Sequence, residues 1–143
     1  MERTCKRSRY DEGFTLVELL VVLAILGLLA GIAVPQLMKS LERAKVDTAK
    51  VQIDKLGSIL DLYRLEVGQY PNEQDGLQSL VSAPPTSERW NGPYLKNADA
   101  LLDPWSAPYK YRFPGNHGEY DLYSLGADGK DGGDGNNADI TSW

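Results

Sequence analysis

The 143-residue sequence predicts an α+β protein: one long amino-terminal α-helix, part membrane-spanning and part amphipathic, packed on a small antiparallel β-sheet head. Three observations carry that expectation. Leu19 to Met38 is an uncharged run rich in Leu, Val, Ile and Ala. Apolar residues then recur at three- and four-residue spacing as far as Val67, the repeat of one helix face. From Gln69 to Trp143 the chain turns to Gly, Pro, Asn and Asp, with two short segments of alternating character. The divisions fall at residues 1–13 (hydrophilic and basic), 14–38 (apolar), 39–68 (amphipathic) and 69–143 (head).

As a helix, the uncharged run extends about 30 Å, enough to cross the hydrocarbon core of a bilayer. A plain single-span anchor meets the same description. A secretory signal peptide fits less well, because its apolar region is shorter and ends at a small-residue cleavage site, whereas Gly31-Ile32-Ala33-Val34-Pro35 leads into further helix-like sequence. Arg3, Lys6, Arg7 and Arg9 precede the span, and Asp121, Asp128, Asp131, Asp134 and Asp139 lie far beyond it. The positive-inside rule therefore keeps the amino end in the cytoplasm.

Past the span, Leu37, Leu41, Ala44, Thr48, Val51, Leu56, Ile59, Leu60, Tyr63 and Val67 provide an apolar face for packing, and Lys39, Glu42, Arg43, Lys45, Asp47 and Lys50 read as a solvated surface. Pro35 removes one amide donor from the ladder, so a kink or local unwinding is expected at residues 31–35. Gly68 followed by Gln69-Tyr70-Pro71 ends the helix. In the head, Asp75 to Val81 reads as a short helix. Tyr109 to Phe113 and Glu119 to Leu125 read as strands joined through Pro114-Gly115-Asn116-His117-Gly118, with a short third strand within Ala138 to Thr141.

Composition excludes some functions. A formal charge of −5 is wrong for a nucleic-acid binder, which needs a basic face. One cysteine, Cys5, cannot form an internal disulfide. Nothing supports an enzyme. His117 sits in the turn expected at 114–118, Ser124 lacks a glycine-framed elbow, and there is no His-rich metal pattern.

The junction Gly13-Phe14-Thr15-Leu16-Val17-Glu18 sets one carboxylate at the head of the apolar stretch. Near a membrane centre such a charge costs about 2.5–3.5 kcal/mol, so it calls for a partner or a function. Here the chain resembles the class III leader of type IV pilins and pseudopilins. The resemblance implies that a prepilin peptidase removes residues 1–13, cutting between Gly13 and Phe14, and that Phe14 becomes the N-methylated first residue. Cleavage exposes an amine about one helical turn from Glu18, where the helix dipole also favours a carboxylate. The resemblance implies that Glu18 pairs with the Phe14 amine of a neighbouring subunit during assembly, with the apolar helix and Pro35 passing from lipid into a filament core.

In the head, Gly68-Gln69-Tyr70-Pro71, Gly76-Leu77-Gln78-Ser79-Leu80, Trp90-Asn91-Gly92-Pro93-Tyr94-Leu95, Asp103-Pro104-Trp105 and Tyr120-Asp121-Leu122-Tyr123-Ser124-Leu125-Gly126-Ala127-Asp128-Gly129 resemble major pseudopilins of type II secretion systems in order and spacing. One departure is Ser106, where glycine is expected directly after Trp105, so the turn there is expected to differ. The absence of a carboxyl-terminal disulfide favours a secretion pseudopilin over an adhesive or motility pilin. The resemblance implies a structural subunit of a periplasmic filament that helps export folded proteins through the outer membrane. Its expected partners are further copies of itself, minor pseudopilins, the prepilin peptidase, and an inner-membrane platform with its ATPase. Before assembly the chain is expected to be a single-pass inner-membrane protein with its head in the periplasm.

The segment Leu125 to Asp139 is rich in glycine and acid. Taken alone it reads as a flexible acidic turn, and it is not an EF-hand, because Lys130 and Gly132 stand where that motif wants Asp or Asn. The resemblance implies calcium here, with Asp128 and Asp139 as acidic anchors and the carbonyls of Leu125 and Lys130 in the shell. Asp131, Asp134, Asn136 and Asn137 are candidates for the remaining oxygens, since Ca²⁺ takes six to eight.

Overall fold

A computed structural model describes residues 13–85 and 87–143. The leader expected at 1–13 therefore lies, apart from Gly13, outside the described residues, as does Cys5. Helix α1 runs from Leu16 to Val67. It begins at Thr15, whose hydroxyl accepts the Glu18 amide at 3.2 Å while its carbonyl accepts the Leu19 amide. This is an N-cap, which satisfies an amide that the first turn would otherwise leave unpaired. Residues 31–35 stay helical, so the expected local unwinding does not occur. The carbonyl four residues before Pro35 belongs to Gly31, where no side chain adds to the crowding around the proline ring. Gly68 closes the helix with φ 101° and its amide on the Arg64 carbonyl at 2.7 Å.

Through Met38 the side chains of α1 are exposed. Residues 40–143 form a compact unit. Within it the packing stripe of α1 is Val46, Ala49, Ile53, Leu56, Leu60, Tyr63 and Val67, alternating steps of three and four. The expectation shared only the second half of this stripe. Val51 is 67% exposed, and Leu41, Ala44 and Thr48 are also exposed. Val51 lies two residues, about 200° of helical turn, from Ala49 and faces the other way.

The stripe is covered by Tyr70, Leu77, Leu80, Leu95, Tyr109, Leu122 and Ile140. Strands β1 (Lys110–Arg112), β2 (Asp121–Ser124) and β3 (Ile140–Thr141) form an antiparallel sheet in that order. Lys110 pairs with Tyr123 and Arg112 with Asp121, and Ser124 pairs with Ile140. Both principal strands are shorter than expected. Tyr109 gives its amide to Leu101 instead of to the ladder, and Pro114 has no amide to give. The hairpin connection is held by the Gly115 amide on the Glu119 carbonyl and by the Asp121 carboxylate, which accepts the amides of Asn116 and His117 at 2.8 and 3.0 Å. The segment expected as a helix at 75–81 is a 3-10 helix, Gly76–Leu80, and two further 3-10 turns, Ala98–Leu101 and Gly135–Asn137, were not expected. Ser106 has φ 66°. The turn after Trp105 thus takes the left-handed conformation that glycine favours, although the residue is serine.

Candidate functional site: the amino-terminal junction and the carboxyl-terminal loop

Gly13 and Phe14 precede the cap, and Phe14 is 80% exposed. Glu18 occupies the first turn of α1, its side chain exposed and its amide held by Thr15. The carboxylate therefore stands at the positive end of the helix dipole, where negative charge is stabilised. Thr15 lies outside the expected site residues, although its signal is local: Thr15-Leu16-Val17-Glu18 has the spacing of a capping box. The helix that follows is long and apolar enough to cross a membrane. Pro35 sits within it.

At the other end, the loop after β2 folds back on itself. The Ala127 amide reaches the Asn136 carbonyl at 3.3 Å, and a Cβ on Gly126 would lie 2.8 Å from the Ala138 carbonyl oxygen. Gly126, Gly129, Gly132, Gly133 and Gly135 all have positive φ, the freedom that repeated reversal of direction requires. Asp128 is exposed and one of its carboxylate oxygens accepts the Lys130 amide at 3.1 Å, which curls the Asp128–Lys130 segment. One carboxylate oxygen of Asp139 accepts the Gly132 amide at 2.9 Å, drawing the middle of the loop to its end. The other, Oδ1, is buried and has no donor. Leu125 is half-buried; Lys130, Asp131, Asp134 and Asn137 are exposed; Asn136 is half-buried. Asp131 and Asp139 border a common cavity of about 190 Å³ with His117, Asp121 and Trp143. Among the described residues no three Asp, Glu, His or Cys side chains converge as a ready-made metal site.

The His117 ring stacks on Trp143 at 4.1 Å with 3° between planes, and its Nδ1 lies 3.3 Å from Asp121. Burial opposes ionisation of Asp121, but the amides of Asn116 and His117 outweigh it and hold the carboxyl below its usual range. These contacts tie the hairpin to the carboxyl terminus.

A capped, apolar amino-terminal helix behind a Gly13-Phe14 junction, joined to a small antiparallel head, defines a pilin-like protein. Residues 8–34 match the prokaryotic N-terminal methylation motif and residues 36–143 match the type II secretion system protein G model. The chain belongs to the type II secretion system protein G family. It is 48% identical over 141 residues to type II secretion system core protein G of Pseudomonas aeruginosa, covering 96% of this chain and 98% of the relative. The corresponding protein of Vibrio cholerae is 42% identical over 141 residues, with 96% and 95% covered, and that of Escherichia coli K12 is 43% identical over 137, with 93% and 91% covered. The fold matches the crystal structure of the major pseudopilin from the type 2 secretion system of enterohaemorrhagic E. coli. The TM-score is 0.62 and the identity 30%, with 75% of this chain and 89% of that one covered.

Proposed function

We propose that this chain is the major subunit of a type II secretion pseudopilus: a precursor held in the inner membrane, cut between Gly13 and Phe14, N-methylated on Phe14, and stacked into a periplasmic filament. The observation that carries this reading is Glu18, a lone carboxylate in the first turn of a capped helix whose following side chains are apolar and exposed. An exposed apolar helix needs lipid or other helices around it. A carboxylate there gains most from an amine brought by a neighbour, and the new amino terminus of Phe14 is such an amine. The chain would sit with its amino end in the cytoplasm and its head in the periplasm. Other copies, minor pseudopilins, the prepilin peptidase and an inner-membrane platform with its ATPase would be its partners, the ATPase supplying the work of export. The test is processing and assembly together. Gly13→Leu should leave an uncleaved precursor, and Glu18→Leu should be inserted and cut normally, with mass spectrometry finding methylated Phe14, yet form few filaments. Normal filaments and secretion from Glu18→Leu would refute the assembly role.

We further propose calcium as the ion held by the loop at 125–139. The support is the buried, donor-free Oδ1 of Asp139, an oxygen whose burial is costly without a positive partner. With Asp128 as the second anchor, the Leu125 and Lys130 carbonyls would supply neutral oxygens, and Asp131, Asp134, Asn136 and Asn137 stand on the same loop to complete the shell. When bound, the ion would neutralise the clustered carboxylates and stabilise the head by binding the folded state preferentially.

A further inference from the structure

At the mouth of this loop lies a polar pair whose burial is unusual. Ser124 is 0% and Asp103 5% exposed. The Ser124 hydroxyl donates to Asp103 Oδ2 at 2.5 Å, and Ser124 Oγ in turn accepts the Gly126 amide at 3.2 Å. Asp103 is fixed from its other side, where Oδ1 accepts the amides of Trp105 and Ala107 at 3.0 and 2.9 Å. Each member of the chain is satisfied, so in a dry environment the arrangement is rigid.

The Gly126 amide and the Leu125 carbonyl belong to one peptide unit, which is planar and trans, with N–H and C=O directed oppositely. Holding the amide against Ser124 therefore turns the Leu125 carbonyl away from Ser124. Among the described residues no donor reaches that carbonyl. We propose that Ser124 and Asp103 are the positioning pair that presets the Leu125 carbonyl as a ligand for a divalent cation in the loop. This rests on the calcium reading above and deepens it. The pair touches no ion itself. It removes the freedom that a carbonyl in a glycine-rich loop would otherwise lose on binding, so part of the ordering cost is met when the head folds.

The test uses the full chain in detergent micelles, with calcium chloride as the probe in titration calorimetry well below the melting temperature. Ser124→Ala should weaken calcium binding about five- to tenfold, the scale of one lost buried hydrogen bond. Ser142→Ala is the control. The Ser142 hydroxyl accepts the Leu122 amide at 3.2 Å in a part-buried bond, so its removal deletes a serine–amide bond of the same length away from the loop mouth and should leave the affinity unchanged. A purely structural role for Ser124 would lower the melting temperature equally with and without calcium and leave the affinity alone. That result overturns the proposal while calcium binding by the unaltered chain stands. Failure of the unaltered chain to bind calcium would overturn both readings. Should Ser124→Ala not fold, hydrogen exchange at the Gly126 amide of the unaltered chain decides: protection without calcium supports a preset peptide plane, and exchange as in an open loop rejects it.

Discussion

The indole nitrogen of Trp105 donates to a carboxylate oxygen of Glu42 at 3.0 Å, joining the turn after Asp103 to the helix 63 positions earlier. Lys45 holds the other oxygen of Glu42 at 3.1 Å. The Trp105 hydrogen bond first, and then Lys45, keep the Glu42 carboxyl below the ordinary glutamate range. A carboxyl whose value is lowered by folding contributes stability above its unfolded value and loses it as pH falls through the folded one. Melting temperatures measured from neutral to acid pH should therefore fall less steeply for Glu42→Gln than for the unaltered chain. Parallel acid limbs would show that the pair contributes nothing.

The neighbouring turn supplies a second expectation. Ser106 sits at φ 66°, a conformation that costs a residue bearing Cβ about 1–2 kcal/mol. Glycine removes that cost but adds freedom to the unfolded chain, which returns about 0.4–1 kcal/mol. Ser106→Gly should therefore stabilise the head by roughly 1 kcal/mol or less. Denaturant midpoints at unchanged slope are the measure, and a lower midpoint would mean that the serine is favourable in this turn.

Much of this architecture is legible in the sequence because its signals are local. The apolar run, the Gly68 stop, the hairpin segments and the Gly13-Phe14…Glu18 junction each depend on residues close together in the chain. The register of the buried stripe was less legible. Val51 and Ala49 are both plausible core residues by hydrophobicity, and only the packing of the folded head, which buries Ala49 and leaves Val51 exposed, decides between them. The short strands illustrate the same point, because Tyr109 was drawn away from the ladder by Leu101, a partner no pattern within strand β1 could indicate. The Ser124–Asp103 pair was illegible for a similar reason: its members are 21 positions apart, and each looks like an ordinary polar residue until both are buried.

Tyr70 leads to an alkaline expectation. Its hydroxyl donates to Asp61 at 2.8 Å and lies 3.0 Å from Glu119, while Arg64 sits 4.9 Å from the ring centre. Burial pushes the hydroxyl up to about 12. A raised value means that the contribution to stability is complete below the unfolded value of about 10 and is lost as pH rises toward 12. Burial also pushes Tyr109 and Tyr111 upward, so the effect has several sources. Tyr70→Phe should cost about 1 kcal/mol at neutral pH through the lost hydrogen bonds, and its stability should then decline less steeply above pH 10. Tyrosinate absorbance followed with helical circular dichroism measures both. Identical alkaline slopes would assign the loss to the other tyrosines.

Gly57 is a buried glycine in the packing half of α1, and a Cβ there would lie 2.8 Å from the Tyr120 hydroxyl oxygen. In an unobstructed helix, Gly→Ala gains about 0.8–1 kcal/mol. Here the gain is opposed because Tyr120 must withdraw from the helix, and its ring is packed at 4.9 Å against Tyr70. Gly57→Ala should therefore be neutral or destabilising by itself. Tyr120→Phe removes the obstructing oxygen and leaves the ring, so in that background Gly57→Ala should stabilise by up to about 1 kcal/mol. The two sites should couple by at least about 0.5 kcal/mol in a double-mutant cycle, as contacting residues commonly do. The measurement is chemical denaturation of the four chains under one condition. Strict additivity would mean that the Tyr120 hydroxyl moves aside at no cost, and that the glycine is not required for close packing of the β2 entrance on α1.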